Sequence, residues 1–182
     1  MNLIEKQLKS EYKYKGKIVS LRLDDALLPN GETAKREIVE HNGGVCVAAL
    51  DDKQNLLMVK QFRYPYGEVI YEIPAGKRNS IDEDPLLCGK RELKEETGAI
   101  AEKYTFLGEL YPTPGYCGEI IWIYAATELS FGEMQPDEDE FLDVEKIPFK
   151  KALEMVLSNE IKDAKTQVAI LKLNSLLENG KI

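Results

Sequence analysis

Three glutamates, Glu92, Glu95 and Glu96, stand close together near the middle of the chain. On a helix, Glu95 and Glu96 fall within about 60° on either side of Glu92, so the three carboxylates share one face. Such a face works against itself. Like charges three and four residues apart cost about 0.2–0.5 kcal/mol per pair, and acids near a helix C-terminus oppose the macrodipole. Arg91, four residues before Glu95, relieves part of this, and Lys90 and Lys94 flank the acids. A hard divalent cation relieves more, and an all-oxygen ligand set suits Mg²⁺ or Mn²⁺. A solvated acidic face accounts for the same spacing.

A second acidic stretch runs through Pro136-Asp137-Glu138-Asp139-Glu140-Phe141. Residues 82–98 hold six acids and three bases, and residues 133–145 hold seven acids and no base. These two stretches carry the whole of the net charge of −8, and the remainder is slightly basic. That balance argues against a nucleic-acid binder that neutralises phosphates. Other reactive side chains are sparse. His41 is the one histidine; a lone histidine after a strand-like stretch is more often structural than catalytic, and a zinc triad or Cys–His dyad is hard to build on it. Cys46, Cys88 and Cys117 are odd in number and far apart, with no CxxC pair. Reduced thiols in a cytoplasmic protein are the expectation. No apolar run is long enough to cross a membrane. Met1 to Ser10 is polar, without the apolar region of a secretory signal.

The elements that position these groups follow from pattern. Residues 17–28 and Ala34 to Glu40 are strand-like around the turn Pro29-Asn30-Gly31, a hairpin thin to stand alone. Residues 44–50 read as a buried strand, and Leu56 to Phe62 and Val69 to Ile73 as further strands, the last stopped by Pro74. After Ala75-Gly76 a loop leads to a helix over about Asp84–Thr97. Asp84 suits the N-cap, Pro85 the first turn and Gly98 the C-cap. Leu86 and Leu93 point from it toward a core. Tyr104 to Tyr111, Ile120 to Ala126 and Phe141 to Ile147 are strand-like, and helices over Phe149–Leu157 and Ala164–Leu177 close the chain. Strands and helices do not alternate, so the expected class is α+β, a mixed β-sheet sandwich between helices with an N-terminal β extension.

The wider pattern carries a resemblance. Gly76, six residues, Glu83, seven residues, then Arg91-Glu92-Leu93-Lys94-Glu95-Glu96-Thr97-Gly98-Ala99 closely resembles the Nudix box, G-x5-E-x7-R-E-U-x-E-E-x-G-U. The first interval is one residue longer than in the box, by an insertion in the loop Lys77 to Asp82, where length changes cost little; placing Asp82 at the glutamate position would break the next interval instead. Ala99 is small for the last apolar slot. The resemblance implies the Nudix fold and a loop–helix–loop that binds a divalent cation, Mg²⁺ or Mn²⁺. It implies hydrolysis of a nucleoside diphosphate linked to another moiety. Its metal ligands are Glu92, Glu96, Glu95 as an adjacent or supporting group, and the carbonyl of Ala75. Glu83 and Arg91 pair to hold the loop.

Other segments are similar to the ADP-ribose pyrophosphatase subgroup. They are Ile73-Pro74-Ala75-Gly76-Lys77, Lys35-Arg36-Glu37, Lys60-Gln61-Phe62-Arg63, and Thr113-Pro114-Gly115-Tyr116-Cys117-Gly118-Glu119, with Pro114 sixteen residues after Gly98. Asn42-Gly43 replaces a frequent Pro-Gly. By this resemblance Arg36 and Arg63 contact the nucleotide, Pro114, Gly115 and Glu119 shape the loop at the terminal ribose, and Glu72 is a ribose candidate. Glu140, directly before Phe141, matches a catalytic glutamate that acts as general base or orients water, with Glu138 behind it. The implied reaction is Mg²⁺-dependent cleavage of ADP-ribose to AMP and ribose 5-phosphate. GDP-mannose, another ADP-sugar, and a non-catalytic sensor role are the alternatives. Residues 1–41 are expected to form an N-terminal extension through which a homodimer assembles, and residues 42–182 the Nudix domain, with its box at 76–99.

Overall fold

The computed structural model describes residues 2–136 and 140–182. The chain divides into two compact units, Met1–Gly43 with Tyr111–Ile120, and Gly44–Leu110 with Ile121–Ile182.

The first unit is an antiparallel sheet of β1 (Lys6–Lys15), β2 (Ser20–Leu27) and β3 (Thr33–Glu40), in the order β1-β2-β3. The expected hairpin is β2–β3, with Leu27 paired to Thr33 across the Pro29-Asn30-Gly31 turn. β1 adds a strand where the sequence shows only a polar start. Every residue of β1 is exposed, so no buried alternation marks it. Its ladder to β2 and polar contacts such as Tyr12 Oη to Glu40 (2.9 Å) hold it. The segment Tyr111–Ile120 is fastened to the end of β3. Val39 N donates to Tyr116 O at 2.8 Å, and Gly118 N donates to Val39 O at 2.9 Å.

The second unit holds β4 (Gly44–Ala49), β5 (Asn55–Arg63), β6 (Glu68–Glu72), β7 (Ala75–Lys77), α1 (Pro85–Thr97), β8 (Ala99–Leu110), β9 (Ile121–Phe131), β10 (Leu142–Pro148), α2 (Phe149–Leu157) and α3 (Ala164–Glu178). One sheet has the order β7-β4-β9-β8, and the other β10-β5-β6. The first sheet is mixed, because β4 and β9 run parallel while their outer neighbours are antiparallel.

Every residue of β4 is buried, as a strand covered on both faces requires. Its side chains alternate between two cores. Cys46, Ala48 and Leu50 pack with Met155 of α2 and Ile170 and Leu173 of α3. Val47 and Ala49 pack with Leu93 of α1. Each large apolar side chain so buried contributes about 1.5–3 kcal/mol. The sheet is thus clamped between α1 on one face and α2 and α3 on the other, the α+β sandwich read from the sequence.

α1 has the caps its sequence predicts. The Asp84 carboxylate accepts from Leu87 N at 3.0 Å, an interaction worth about 1 kcal/mol. Gly98 ends the helix at φ 67°, and a β-carbon there would come within 2.4 Å of Gly132 O. Leu93 is buried and Leu86 half-buried. Ala75–Lys77, where the expected loop begins, form a short strand paired with β4 through Cys46 and Ala75. β8 and β9 are longer than expected because they pair with each other out to Ala99 and Phe131. All three cysteines are free thiols. Among the described residues no helix is long and apolar enough to cross a membrane.

Candidate active site

Two of the three helix acids are buried. Glu96 is 2% exposed and Glu92 8%, while Glu95 is half-buried. That removes the solvated-face reading for this pair. Both carboxylates face the end of β7. Glu96 Oε2 accepts from Ala75 N at 3.0 Å. The Glu92 carboxyl lies so near Gly76 that a β-carbon there would sit 1.9 Å from Glu92 Cδ. Strand β7 and helix α1 therefore bring Ala75, Gly76, Glu92 and Glu96 together.

Burial dominates the electrostatics of this pair. Desolvation pushes the Glu92 carboxyl up to about 7, against the opposing pull of Arg91. Desolvation, with the charges of Glu92 and Glu140 behind it, pushes Glu96 up to about 8 against the Ala75 N–H.

Arg91 gathers the surrounding acids. Its Nη1 lies 2.7 Å from Glu92 Oε1 and 3.0 Å from Glu95 Oε2, and its Nη2 lies 3.5 Å from Glu83 Oε1. The expected pairing of Glu83 with Arg91 is present. The other oxygen of Glu83 accepts from Asn79 N. The lengthened loop closes around Arg78, which is 7% exposed. Arg78 donates to the carbonyls of Ile81 and Glu83, and its guanidinium lies 4.6 Å from the Trp122 ring centre.

Glu140 is half-buried and close enough to Glu92 and Glu96 for its charge to raise both carboxyls. The segment leading toward it is tied to the end of α1. Gly132 N donates to Gly98 O at 2.8 Å and Gln135 N to Glu95 O at 2.9 Å. Glu138 lies outside the described residues. Among the described residues no three His, Cys, Asp or Glu side chains are already gathered as a metal cluster. Arg91 draws Glu92 and Glu95 to itself, and Glu96 turns to Ala75 N. The donors nevertheless fit a hard cation. They are all oxygens, two are buried carboxylates, and the Glu92 carboxyl occupies the place over Gly76 that a β-carbon would otherwise take.

Arg63, at the end of β5, grips Glu72 with two nitrogens, Nε at 2.5 Å and Nη2 at 2.8 Å. Glu72 is 1% exposed and is also bound by Lys165. Glu72, the ribose candidate, thus has a buried carboxylate whose oxygens are both engaged by cations. Arg36 lies on β3 of the first unit, in an exposed pair with Glu5 at 2.6 and 2.9 Å. Pro114 and Gly115 form the turn closed by Cys117 N donating to Thr113 O at 3.1 Å. Glu119 Oε1 stands 3.3 Å from His41 Nδ1. These four lie in the first unit, and Arg63, Glu72, Ala75, Glu92, Glu95, Glu96 and Glu140 in the second.

The sequence reading missed Arg78, Asp163, Lys165 and Thr166. Only Asp163 leaves a local signal, as an N-cap before the last helix, where its carboxylate accepts from Thr166 N at 3.0 Å.

Comparison with known proteins places the chain in a family. Residues 40–167 match the family described as NUDIX domain, and residues 5–39 match the nucleoside diphosphate sugar hydrolase N-terminal domain. The chain is 44% identical to an ADP-ribose pyrophosphatase of Bacillus subtilis (strain 168), over 99% of both chains. It is 42% identical to a methanol dehydrogenase activator of Bacillus methanolicus, over 91% of this chain and 90% of that one. A GDP-mannose pyrophosphatase of Enterobacter sp. (strain 638) is 32% identical over 80% of this chain and 82% of its own length. A crystal structure described as an ADP compounds hydrolase superposes with a TM-score of 0.85 at 21% identity, covering all of both chains, and establishes the likeness of fold.

Proposed function

The chain belongs to the NUDIX family and is a Nudix hydrolase, and on that premise we propose that it cleaves the pyrophosphate of ADP-ribose to AMP and ribose 5-phosphate, with Mg²⁺ at the acidic helix. The observation that carries the reading is the convergence of the buried Glu92 and Glu96 carboxylates on Ala75 and Gly76. The full-length similarity to an ADP-ribose pyrophosphatase selects the substrate.

Glu92, Glu96, Glu95 and the Ala75 carbonyl would hold the ion. Bound there, Mg²⁺ supplies neutralisation of diphosphate oxygens and a more acidic water. The chain's own groups do the rest. Glu140, within electrostatic reach of Glu92 and Glu96, accepts a proton from the attacking water. Arg91 keeps Glu92 and Glu95 in place. Arg63, anchored through Glu72 yet 38% exposed in its side chain, turns a cationic edge to the diphosphate. Arg36, whose exposed pair with Glu5 is a weak competitor, binds the nucleotide, and Pro114, Gly115 and Glu119 shape the loop at the terminal ribose.

The protein works as a homodimer in the reducing cytoplasm. The exposed apolar side chains Leu8, Tyr12 and Tyr14 on β1, with Ile18 beside it, support a partner for this sheet, and three free thiols support the compartment. Light scattering at micromolar concentration tests the dimer, and a monomer overturns it.

Hydrolysis of a panel of nucleoside diphosphate sugars, with and without Mg²⁺, tests the activity, read as the inorganic phosphate that added alkaline phosphatase frees from the monophosphate products. The expected result is Mg²⁺-dependent turnover fastest on ADP-ribose. Preference for GDP-mannose or another ADP-sugar overturns the substrate, and no hydrolysis of any member overturns catalysis in favour of a sensor.

A further inference from the structure

The strand that enters the acidic site is held from behind by the first turn of α3. Lys165, 12% exposed in its side chain, bonds Glu72 and also lies 3.0 Å from Asp163 Oδ1. Asp163 caps the helix, accepting from Thr166 N at 3.0 Å and Thr166 Oγ1 at 2.6 Å. The Thr166 hydroxyl, fully buried, accepts in turn from Ile73 N at 3.0 Å. Next along the chain, Pro74 O accepts from Val47 N at 2.9 Å and Ala75 N donates to Glu96. Each residue from Glu72 to Ala75 is therefore pinned by a different partner.

The charges of the group balance. Glu72 and Asp163 face Arg63 and Lys165, two anions against two cations. Arg63 and Lys165 divide the Glu72 carboxylate between them, Arg63 bonding both oxygens and Lys165 bonding Oε2. Without Lys165, the buried Glu72 and its neighbour Asp163 would share one cation. An uncompensated buried acid either protonates or repacks. Both outcomes release or redirect the guanidinium that Glu72 now orients through two hydrogen bonds.

We propose that Lys165 is a positioning residue, which fixes the orientation of Arg63 toward the substrate diphosphate by holding Glu72 and by leaving the charge of Arg63 uncancelled. It rests on the reading of Arg63 as a substrate-binding group. Lys165 touches no substrate itself. Its effect passes through Glu72, 93 residues away in sequence.

The test is a double-mutant cycle on the panel member that the native protein turns over fastest. It compares native protein, Lys165→Met, Arg63→Ala and the double variant, with kcat, KM and melting temperature for each. Lys165→Met is expected to raise KM about tenfold, the scale of one lost charged hydrogen bond, with kcat within about twofold. In the Arg63→Ala background the same change should move KM less than about twofold, because the two residues act as one unit. Lys165→Arg should restore most of the native KM. Glu72→Gln/Lys165→Met, which removes an anion and a cation together, supplies a charge-balanced variant if Lys165→Met does not fold; its KM should also rise, since a neutral amide in place of the carboxylate no longer grips Arg63. Additive effects of the two single changes overturn the proposal, as does a fall in melting temperature with unchanged KM. An unchanged KM in Arg63→Ala overturns the role of Arg63 and the proposal with it. A raised KM in Arg63→Ala beside a native KM in Lys165→Met overturns the proposal alone.

Discussion

The Glu92 carboxyl rests against the α-carbon of Gly76, leaving no room for a β-carbon, which would lie 1.9 Å from Glu92 Cδ. The obstructing atoms are the far end of a flexible side chain rather than backbone. Gly76→Ala is therefore expected to fold, with Glu92 swung aside. The loss falls on the site: kcat should drop about 10²-fold, the scale of a misplacement near 1 Å, while melting temperature changes little. Circular dichroism melting beside the phosphatase-coupled hydrolysis assay checks this. Native turnover in Gly76→Ala would show that Glu92 is not needed where it stands.

Why these two residues meet was largely legible in the sequence. α1 announces itself locally, through Asp84, Pro85, Gly98 and the apolar spacing of Leu93, and its acids follow from the same wheel. The burial of Glu92 and Glu96 is not local, for it depends on β7 pairing with β4. β1 stayed hidden because it is exposed on every residue, and its alternation of Leu8, Tyr12 and Tyr14 with charged neighbours is short and broken at Ser10. The fate of Glu72 was hidden for a different reason. An acid at a strand end reads as surface, and its second cation, Lys165, comes from a helix 93 residues on. Arg78 was invisible because it binds backbone carbonyls, Ile81 O and Glu83 O, which any sequence supplies.

Glu140→Gln should lower kcat by about 10²-fold or more, within the range of general-base catalysis, and leave KM within about twofold. The residue lies near enough to Glu92 and Glu96 to perturb both, as a base acting at that site must. Steady-state kinetics of Glu140→Gln beside Glu138→Gln check it. Equal, native-like turnover in both would remove the base from this segment.

The buried acids make stability depend on pH in a definite direction. Folding raises Glu92 from 4.5 to about 7 and Glu96 from 4.5 to about 8. A carboxyl whose folded value is raised contributes stability that is whole below about pH 4.5 and is lost as pH climbs to about 8. In EDTA this pair should therefore weaken the fold as pH rises through that window. Mg²⁺ offsets the ionised carboxylates, so its stabilising shift in melting temperature should be larger near pH 8 than near pH 5.5. Glu96→Gln should flatten the slope in EDTA and shrink the Mg²⁺ response. Thermal melts with and without Mg²⁺ across this range provide the measurement. A shift equal at both ends would separate the metal from these two acids.

Arg78 organises the lengthened loop, and Trp122, the chain's one tryptophan, reports on it. Arg78 holds the Glu83 carbonyl at 2.8 Å, the Glu83 carboxylate pairs with Arg91, and Arg91 holds Glu92 and Glu95. Arg78→Met keeps the bulk of the side chain but removes the donors to Ile81 O and Glu83 O. Those carbonyls then lose their partners, at a cost of about 1–3 kcal/mol each unless the loop opens to water. The loop should open, because loop backbone is the cheapest part to move. Trp122 emission should shift as the guanidinium leaves its face, and kcat should fall about tenfold as Arg91 loses its anchored partner, in the range seen when groups supporting metal ligands are removed. Arg78→Lys keeps a cation near the ring but cannot serve both carbonyls in the forked geometry of a guanidinium, so its kinetics should resemble Arg78→Met more than the native protein. A changed Trp122 spectrum with native kcat would show that the loop and the carboxylates are uncoupled.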